Sequence, residues 1–166
     1  MDSARSGAVG IDEPGLIEPH GGVAARRPFL PAFLVAPNVR GMIDHVSVAV
    51  RDLAAGTRFY ARVLAPLGYA QLVERPATVG FGKKYPEFWL NLRTDLGAPS
   101  PNPGTHIALR AASEEAVRGF HAAALEMGGT SAGEPGPRQA AMTTYFGAFI
   151  LDPDGNKIEA IAFPGA

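Results

Sequence analysis

The sequence predicts an α+β chain made of two tandem βαβββ modules. Two observations carry that prediction. Strand-like and helix-like stretches recur in the same order: a strand, a helix stopped by glycine, then further strands. Landmarks of different chemistry also recur at one spacing. His45 and His106, Phe59 and Phe120, Leu64 and Leu125, and Gly68 and Gly129 are each 61 residues apart. One offset shared by strand, helix and terminating glycine points to a duplicated unit.

The elements follow in order. Residues 43–50 are rich in β-formers and read as the first strand. Asp52 is a good N-cap for a helix over 53–66, with Phe59, Tyr60, Val63, Leu64 and Leu67 on its apolar stripe and Gly68 as its stop. Residues 69–74, 78–82 and 88–93 read as strands, with 83–87 as a turn. The Pro/Gly loop 95–103 is the expected linker between a first module at 42–94 and a second at 104–164. In the second module, 106–110 is a strand. Ser113 caps a helix that carries Glu114 and Glu115 in its first turn, where the helix dipole favours carboxylates, and that stops at Gly128-Gly129. Residues 130–143 show no clear period and carry more residues than their counterpart. Strand 143–151, the turn Asp152-Pro153-Asp154-Gly155-Asn156 and strand 157–163 complete the unit.

Composition narrows the function. The chain has 166 residues, 46% of them hydrophobic, enough for one compact domain or two fused modules. A net charge of −1 without a basic patch argues against nucleic acid as a partner. Without cysteine there are no disulfides, thiolate chemistry or Cys-type zinc sites, which fits the cytoplasm as the expected location. Residues 1–41 hold five prolines and six glycines and are expected to be an irregular or disordered extension of the domain at 42–164, with Met42 as an alternative start. Arg26-Arg27-Pro28-Phe29-Leu30 looks like an export signal, but the apolar run behind it is short and no Ala-x-Ala site follows. That run, 29–37, is too short to span a bilayer and is broken by Pro31. Lysine occurs only at positions 83, 84 and 157, as expected of a GC-rich, bacterial genome.

Four histidines bear on chemistry. His20 lies in the extension, and His121 reads as a partly exposed helix residue. His45 and His106 open the first strands of the two modules at equivalent positions, so a pseudo-twofold axis lets their imidazoles converge. Glu159 is a carboxylate inside an apolar strand. Buried, it needs a metal, a cation or a proton; strand alternation also allows it to face solvent, and Lys157 shares its parity. Two imidazoles and one carboxylate make a facial triad for Fe(II) or another divalent ion. A calcium loop at 152–156 fails, because its glycine stands fourth and Glu159 eighth, where an EF-hand needs positions six and twelve. Nucleophile-elbow, phosphate-loop, dinucleotide and His-Glu-x-x-His signatures are missing.

Ile43-Asp-His-Val-Ser-Val-Ala-Val-Arg-Asp-Leu53 followed by Phe59-Tyr60, Gly104-Thr-His-Ile-Ala-Leu109, and Leu151-Asp-Pro-Asp-Gly-Asn-Lys-Ile-Glu159 together resemble the vicinal-oxygen-chelate superfamily, the relatives of glyoxalase, bleomycin-resistance proteins and extradiol dioxygenases. The resemblance spans 42–164. It implies an open, cup-shaped mixed sheet around a divalent metal (Fe, Mn, Ni or Zn) held by His45, His106 and Glu159, with a small-molecule substrate and no membrane partner; homodimers are common in the family. Glyoxalase I relatives often place a glutamate on the last strand of the first module. Asn91 is the residue matched to it here, a weak ligand that is expected, with Trp89, to line the substrate cup. Extradiol dioxygenases also have a second-sphere histidine or tyrosine for proton transfer, for which Tyr145 is the candidate, and Glu159 is expected to serve as a ligand and as a candidate base. Three functions follow as expectations: a metal-dependent lyase, isomerase or extradiol-type dioxygenase; a protein that sequesters a small molecule or antibiotic; or a domain with a relict site.

Overall fold

A computed structural model describes residues 43–98, 104–140 and 142–163. The extension 1–41, with His20 and the twin-arginine stretch, Met42, and linker residues 99–103 lie outside the described residues.

Strand β1 (Val46–Val50) leads into helix α1 (Leu53–Leu64). Asp52 caps α1 as its carboxylate accepts from the Ala55 amide at 2.9 Å. Pro66 lies in the 3₁₀ turn Ala65–Leu67 that ends the helix, and Gly68 follows at φ 79°, a left-handed conformation that glycine adopts freely. Strands β2 (Ala70–Arg75), β3 (Thr78–Gly82) and β4 (Pro86–Leu92) complete the module. The second module repeats the order with β5 (Ile107–Arg110), α2 (Glu114–Glu126), β6 (Thr130–Gln139), β7 (Thr144–Leu151) and β8 (Lys157–Ala162).

Each module forms one four-stranded mixed sheet, ordered β1-β4-β3-β2 and β5-β8-β7-β6. In both, the first and last strands pair in parallel and the other pairs are antiparallel. The parallel registers are equivalent. Val46 pairs with Phe88, and Ile107, 61 positions after Val46, pairs with Ile158, 70 positions after Phe88. The second module therefore does carry extra residues between its first and last strands.

Those extra residues hold the largest departure from expectation. The stretch 130–143 contains β6, an edge strand of ten residues. Pro135 and Pro137 hide it in the sequence, yet an edge strand tolerates proline because its outward N–H groups need no partner. Its register with β7 also shifts twice. Two further corrections concern histidines. β1 and β5 begin at Val46 and Ile107, so His45 and His106 each stand just before the strand rather than within it. His121 is buried, not partly exposed: it is 4% exposed, with Nε2 2.9 Å from Ser131 Oγ on β6.

Helix α1 buries Phe59, Tyr60, Val63 and Leu64, and α2 buries Val117, Phe120, Ala123 and Ala124. They join Phe81, Phe88, Leu90, Ile150 and Ile158 in a single core shared by both modules. Each large side chain buried in this way contributes about 1.5–3 kcal/mol. Polar bonds lock the modules together at one corner. Tyr60 donates to Asp152 Oδ2 at 2.7 Å, Asn156 Nδ2 donates to the Ala49 carbonyl at 2.9 Å, and Arg51 pairs with Asp154 at 2.7 Å. Asp152, 5% exposed, is fully engaged: Oδ1 also accepts from the amides of Asp154 and Asn156, and Oδ2 accepts from Asn156 Nδ2.

Candidate functional site

Helices cover one face of each sheet, and strand alternation sends every second side chain to the other, open face. On β8, Ile158 and Ala160 enter the core, so Glu159 between them lies on the open face. Its register partners, Ala108 on β5 and Phe149 on β7, share that face. Glu159 is nevertheless only 3% exposed, because its neighbours close over it. The alternative of a solvent-facing Glu159 beside Lys157 is corrected: the parity holds, but this part of the face is covered.

Two neighbours hold the carboxylate. His106 Nε2 stands 3.2 Å from Oε2, and Tyr145 donates its hydroxyl to Oε1 at 2.9 Å. The His106 ring meets Phe149 edge-on, with centroids 5.4 Å apart. Gly147 on β7 leaves the space for this arrangement, since a Cβ there would lie 2.8 Å from the Tyr145 ring and 3.3 Å from Glu159 Oε1. Burial raises the Tyr145 pKa, and the hydrogen bond to Glu159 raises it further, so the phenol stays protonated and keeps donating.

His45 lies on the other module. Its Nδ1 is 2.6 Å from Asp44 Oδ1, which holds the ring proton on Nδ1 and leaves the Nε2 lone pair free. His45 and His106 line one cleft of about 550 Å³, together with Tyr69, Glu87 and Arg110. Among the described residues, no three His, Asp or Glu side chains gather tightly enough to hold one ion. The structure thus brings together His106, Glu159 and Tyr145, and sets His45 across a shared cleft from His106.

Trp89 and Asn91 lie on the open face of the first sheet, paired with Ser47 and Ala49. Their roles need refining. Glu159 pairs with Ala108, the residue 61 positions after Ser47. The first-module counterpart of Glu159 is therefore Trp89, and Asn91 corresponds to Ile161. An indole, with no lone pair to give, stands where a fourth ligand was sought. Gly80 accommodates it, since a Cβ there would come within 3.0 Å of the ring.

Two cations stand on the second open face: Lys157, which parity in the sequence already set on the face of Glu159, and Arg138, which sequence reasoning missed. Arg138 lies 5.5 Å and Lys157 Nζ 4.8 Å from the centre of the Phe149 ring. Arg138 sits in the proline-bearing strand that sequence left without a period, so nothing marked the direction of its side chain. A separate cavity of about 270 Å³, lined by Arg51, Tyr60, Met127 and Asp152, belongs to the corner where the modules lock, since its buried carboxylate is already fully hydrogen-bonded. Among the described residues, no helix is long and apolar enough to cross a membrane.

Comparison with known proteins agrees with this architecture. The family model for the Glyoxalase/Bleomycin resistance protein/Dioxygenase superfamily matches residues 42–160. A glyoxalase/bleomycin resistance protein from Albidiferax ferrireducens T118 is 32% identical and superposes with a TM-score of 0.66, covering 74% of this chain and 99% of its own. The fosfomycin resistance protein FosX from Listeria monocytogenes is 18% identical, with a TM-score of 0.52, over 74% of this chain and 93% of its own. A V278E variant of glyoxalase I from Zea mays is 21% identical, with a TM-score of 0.56, over 71% of this chain and 44% of its own. No curated protein matches the chain. With the family model matching well over half its length and two βαβββ modules in place, the chain belongs to the Glyoxalase/Bleomycin resistance protein/Dioxygenase superfamily.

Proposed function

We propose that this protein is a divalent-metal-dependent enzyme of the lyase, isomerase or extradiol-dioxygenase kind, acting on a small substrate with two neighbouring oxygens. His106 and Glu159 are the preassembled metal ligands, and His45, across the shared cleft, is the third, drawn in when an ion binds. The observation that carries the reading is the His106–Glu159 pair. A carboxylate 3% exposed on an otherwise open sheet face, 3.2 Å from an imidazole, is a costly arrangement unless it serves a cation. Two adjacent ligands, each about 2.1 Å from one ion and at a right angle, stand about 3.0 Å apart, close to the separation seen. The carboxylate behind His45 Nδ1 is also the usual orienting partner of a ligating histidine.

When bound, a divalent ion would act as a Lewis acid toward the substrate's oxygens and stabilise the anion formed as bonds rearrange. The protein's own contribution is positional. Tyr145 fixes one oxygen of Glu159 and leaves the other toward His106. Phe149 packs edge-on against His106 and steadies its ring, while Glu159 beside it is buried. Assembly as a homodimer is part of this reading.

Metal analysis of full-length protein purified without chelators tests it. About one Fe, Mn, Ni or Zn per chain is expected, falling at least tenfold in His106→Ala. Wild-type protein that takes up no metal under any loading would sink the proposal. A second reading, a protein that sequesters a small molecule without metal, is favoured by one observation: Trp89 stands at the counterpart of Glu159 and offers an aromatic wall.

A further inference from the structure

The open face of the second sheet carries more positive charge than its own structure uses. Arg110 on β5, Lys157 on β8 and Arg138 on β6 all lie on it. Arg110 is placed there by alternation with core residue Leu109, Lys157 by its pairing with Leu151, and Arg138 by its pairing with Tyr145. Glu159 is the one carboxylate among them, and it is already engaged by His106 and Tyr145.

None of the three cations has a carboxylate partner among the described residues. Each rests instead on an aromatic ring: Arg110 on Phe163 at 5.2 Å, and Lys157 and Arg138 on Phe149. Glu134 does not fill the gap, since its carboxylate turns to His121 at 3.8 Å and only its carbonyl accepts from Arg138 Nη2, at 2.8 Å. Arg138 Nε is buried without any hydrogen-bond partner. A guanidinium partly withdrawn from water, with no carboxylate to balance its charge and only one donor spent on a carbonyl, is best compensated by an anion at its outer Nη groups.

The position of these cations links them to the site. Phe149, which Arg138 and Lys157 flank, pairs in register with Glu159 and packs on His106. Tyr145, which pairs in register with Arg138, bonds Glu159. The Arg138 side chain reaches back along β6 to lie beside Gly133 and Phe149, and Gly133, Phe149 and Glu159 are in register across β6, β7 and β8. Strands lie about 4.8 Å apart, so the guanidinium stands about two spacings, or roughly 10 Å, from the Glu159 backbone, the span of a small molecule.

We propose that this site takes an anionic substrate, a molecule bearing a carboxylate or phosphate-type group, and that Arg138 and Lys157 bind that group beside the His106–Glu159 pair. The placement of the substrate's other end rests on the metal reading above; the anion subsite does not.

The test is a calorimetric titration of the full chain, stripped of metal by chelator, with inorganic phosphate at neutral pH and low ionic strength, and with trimethyl phosphate as the uncharged control. Phosphate is expected to bind and trimethyl phosphate not to. Arg138→Gln and Lys157→Gln are each expected to weaken phosphate at least about fivefold, and Arg138→Lys less, as loss of a charge-assisted contact implies. Melting curves of each variant confirm that it is folded. Phosphate affinity unchanged in both Gln variants, equal binding of the neutral ester, or no phosphate binding at all overturns the proposal. Metal content measured on parallel preparations of the same proteins, purified without chelator, separates the two readings. Phosphate binding that depends on Arg138 and Lys157 in a protein that holds no metal sustains the anion subsite and removes the metal. Metal retained without phosphate binding does the reverse.

Discussion

Gly147 shows how much one missing side chain can decide. A Cβ at this position would press on both the Tyr145 ring and Glu159 Oε1. Gly147→Ala is therefore expected to push the tyrosine off the carboxylate. It should lower metal affinity about 10–100-fold, as loss of an orienting partner does, and cost about 1–3 kcal/mol of stability through overpacking. Tyr145→Phe should lower metal affinity without the packing cost, so comparing the two by metal titration and urea unfolding separates orientation from strain. At this scale the sequence was informative about types and weak on partnerships. His106 and Glu159 stood out because a duplicated landmark and a charge in an apolar strand are visible in a string of letters. The bond between Tyr145 and Glu159 was not, since it depends on β7 and β8 pairing in one register, fourteen residues apart. The register also moved the counterpart of Glu159 from Asn91 to Trp89, two residues along the same face, a distinction that parity alone cannot draw.

Element boundaries followed the local chemistry wherever that chemistry was strong. Asp52 and Ser113 were legible as caps and both cap: Asp52 accepts from Ala55, and Ser113 Oγ accepts from Ala116 at 3.2 Å. Ser113→Ala should remove about 1 kcal/mol from the unfolding free energy measured in urea, with no change in metal binding. β6 was illegible for the opposite reason. Its Thr-Ser-Ala-Gly-Glu-Pro-Gly-Pro-Arg-Gln sequence lacks alternation, and its strand character comes from pairing with β7 rather than from its own residues. Tertiary context set that element, and the cation it presents to the site went unseen with it.

For the molecule as a whole, the shared core and the corner formed by Tyr60, Asp152, Asn156 and Arg51 predict that both modules unfold together. Tyr60→Phe leaves buried Asp152 one donor short and should cost about 1–3 kcal/mol while keeping a single transition. The corner also sets an alkaline limit. Burial, and then the charge of Asp152, holds the Tyr60 pKa well above its ordinary value of 10.0. A raised folded value means stability that is complete below the unfolded value and is lost as pH climbs through the folded one. Unfolding free energy should therefore start to fall above pH 10.0, and Tyr60→Phe should flatten that limb in chemical denaturation measured across pH.

The corner also breaks the symmetry that the duplication created. The residue 61 positions after Tyr60 is His121, and it bonds to its own module, at Ser131, instead of reaching across. The turn in the first module that answers to 152–156 contains Lys83-Lys84-Tyr85 and has no acid to receive a partner. Two halves of common descent thus carry unequal mutational loads. Substitutions in the lysine turn are free to drift, while the same backbone position in the second half is pinned by bonds that engage five side chains: Arg51, Tyr60, Asp152, Asp154 and Asn156. A saturation library scored for folding should show one tolerant and one intolerant copy of a single ancestral loop.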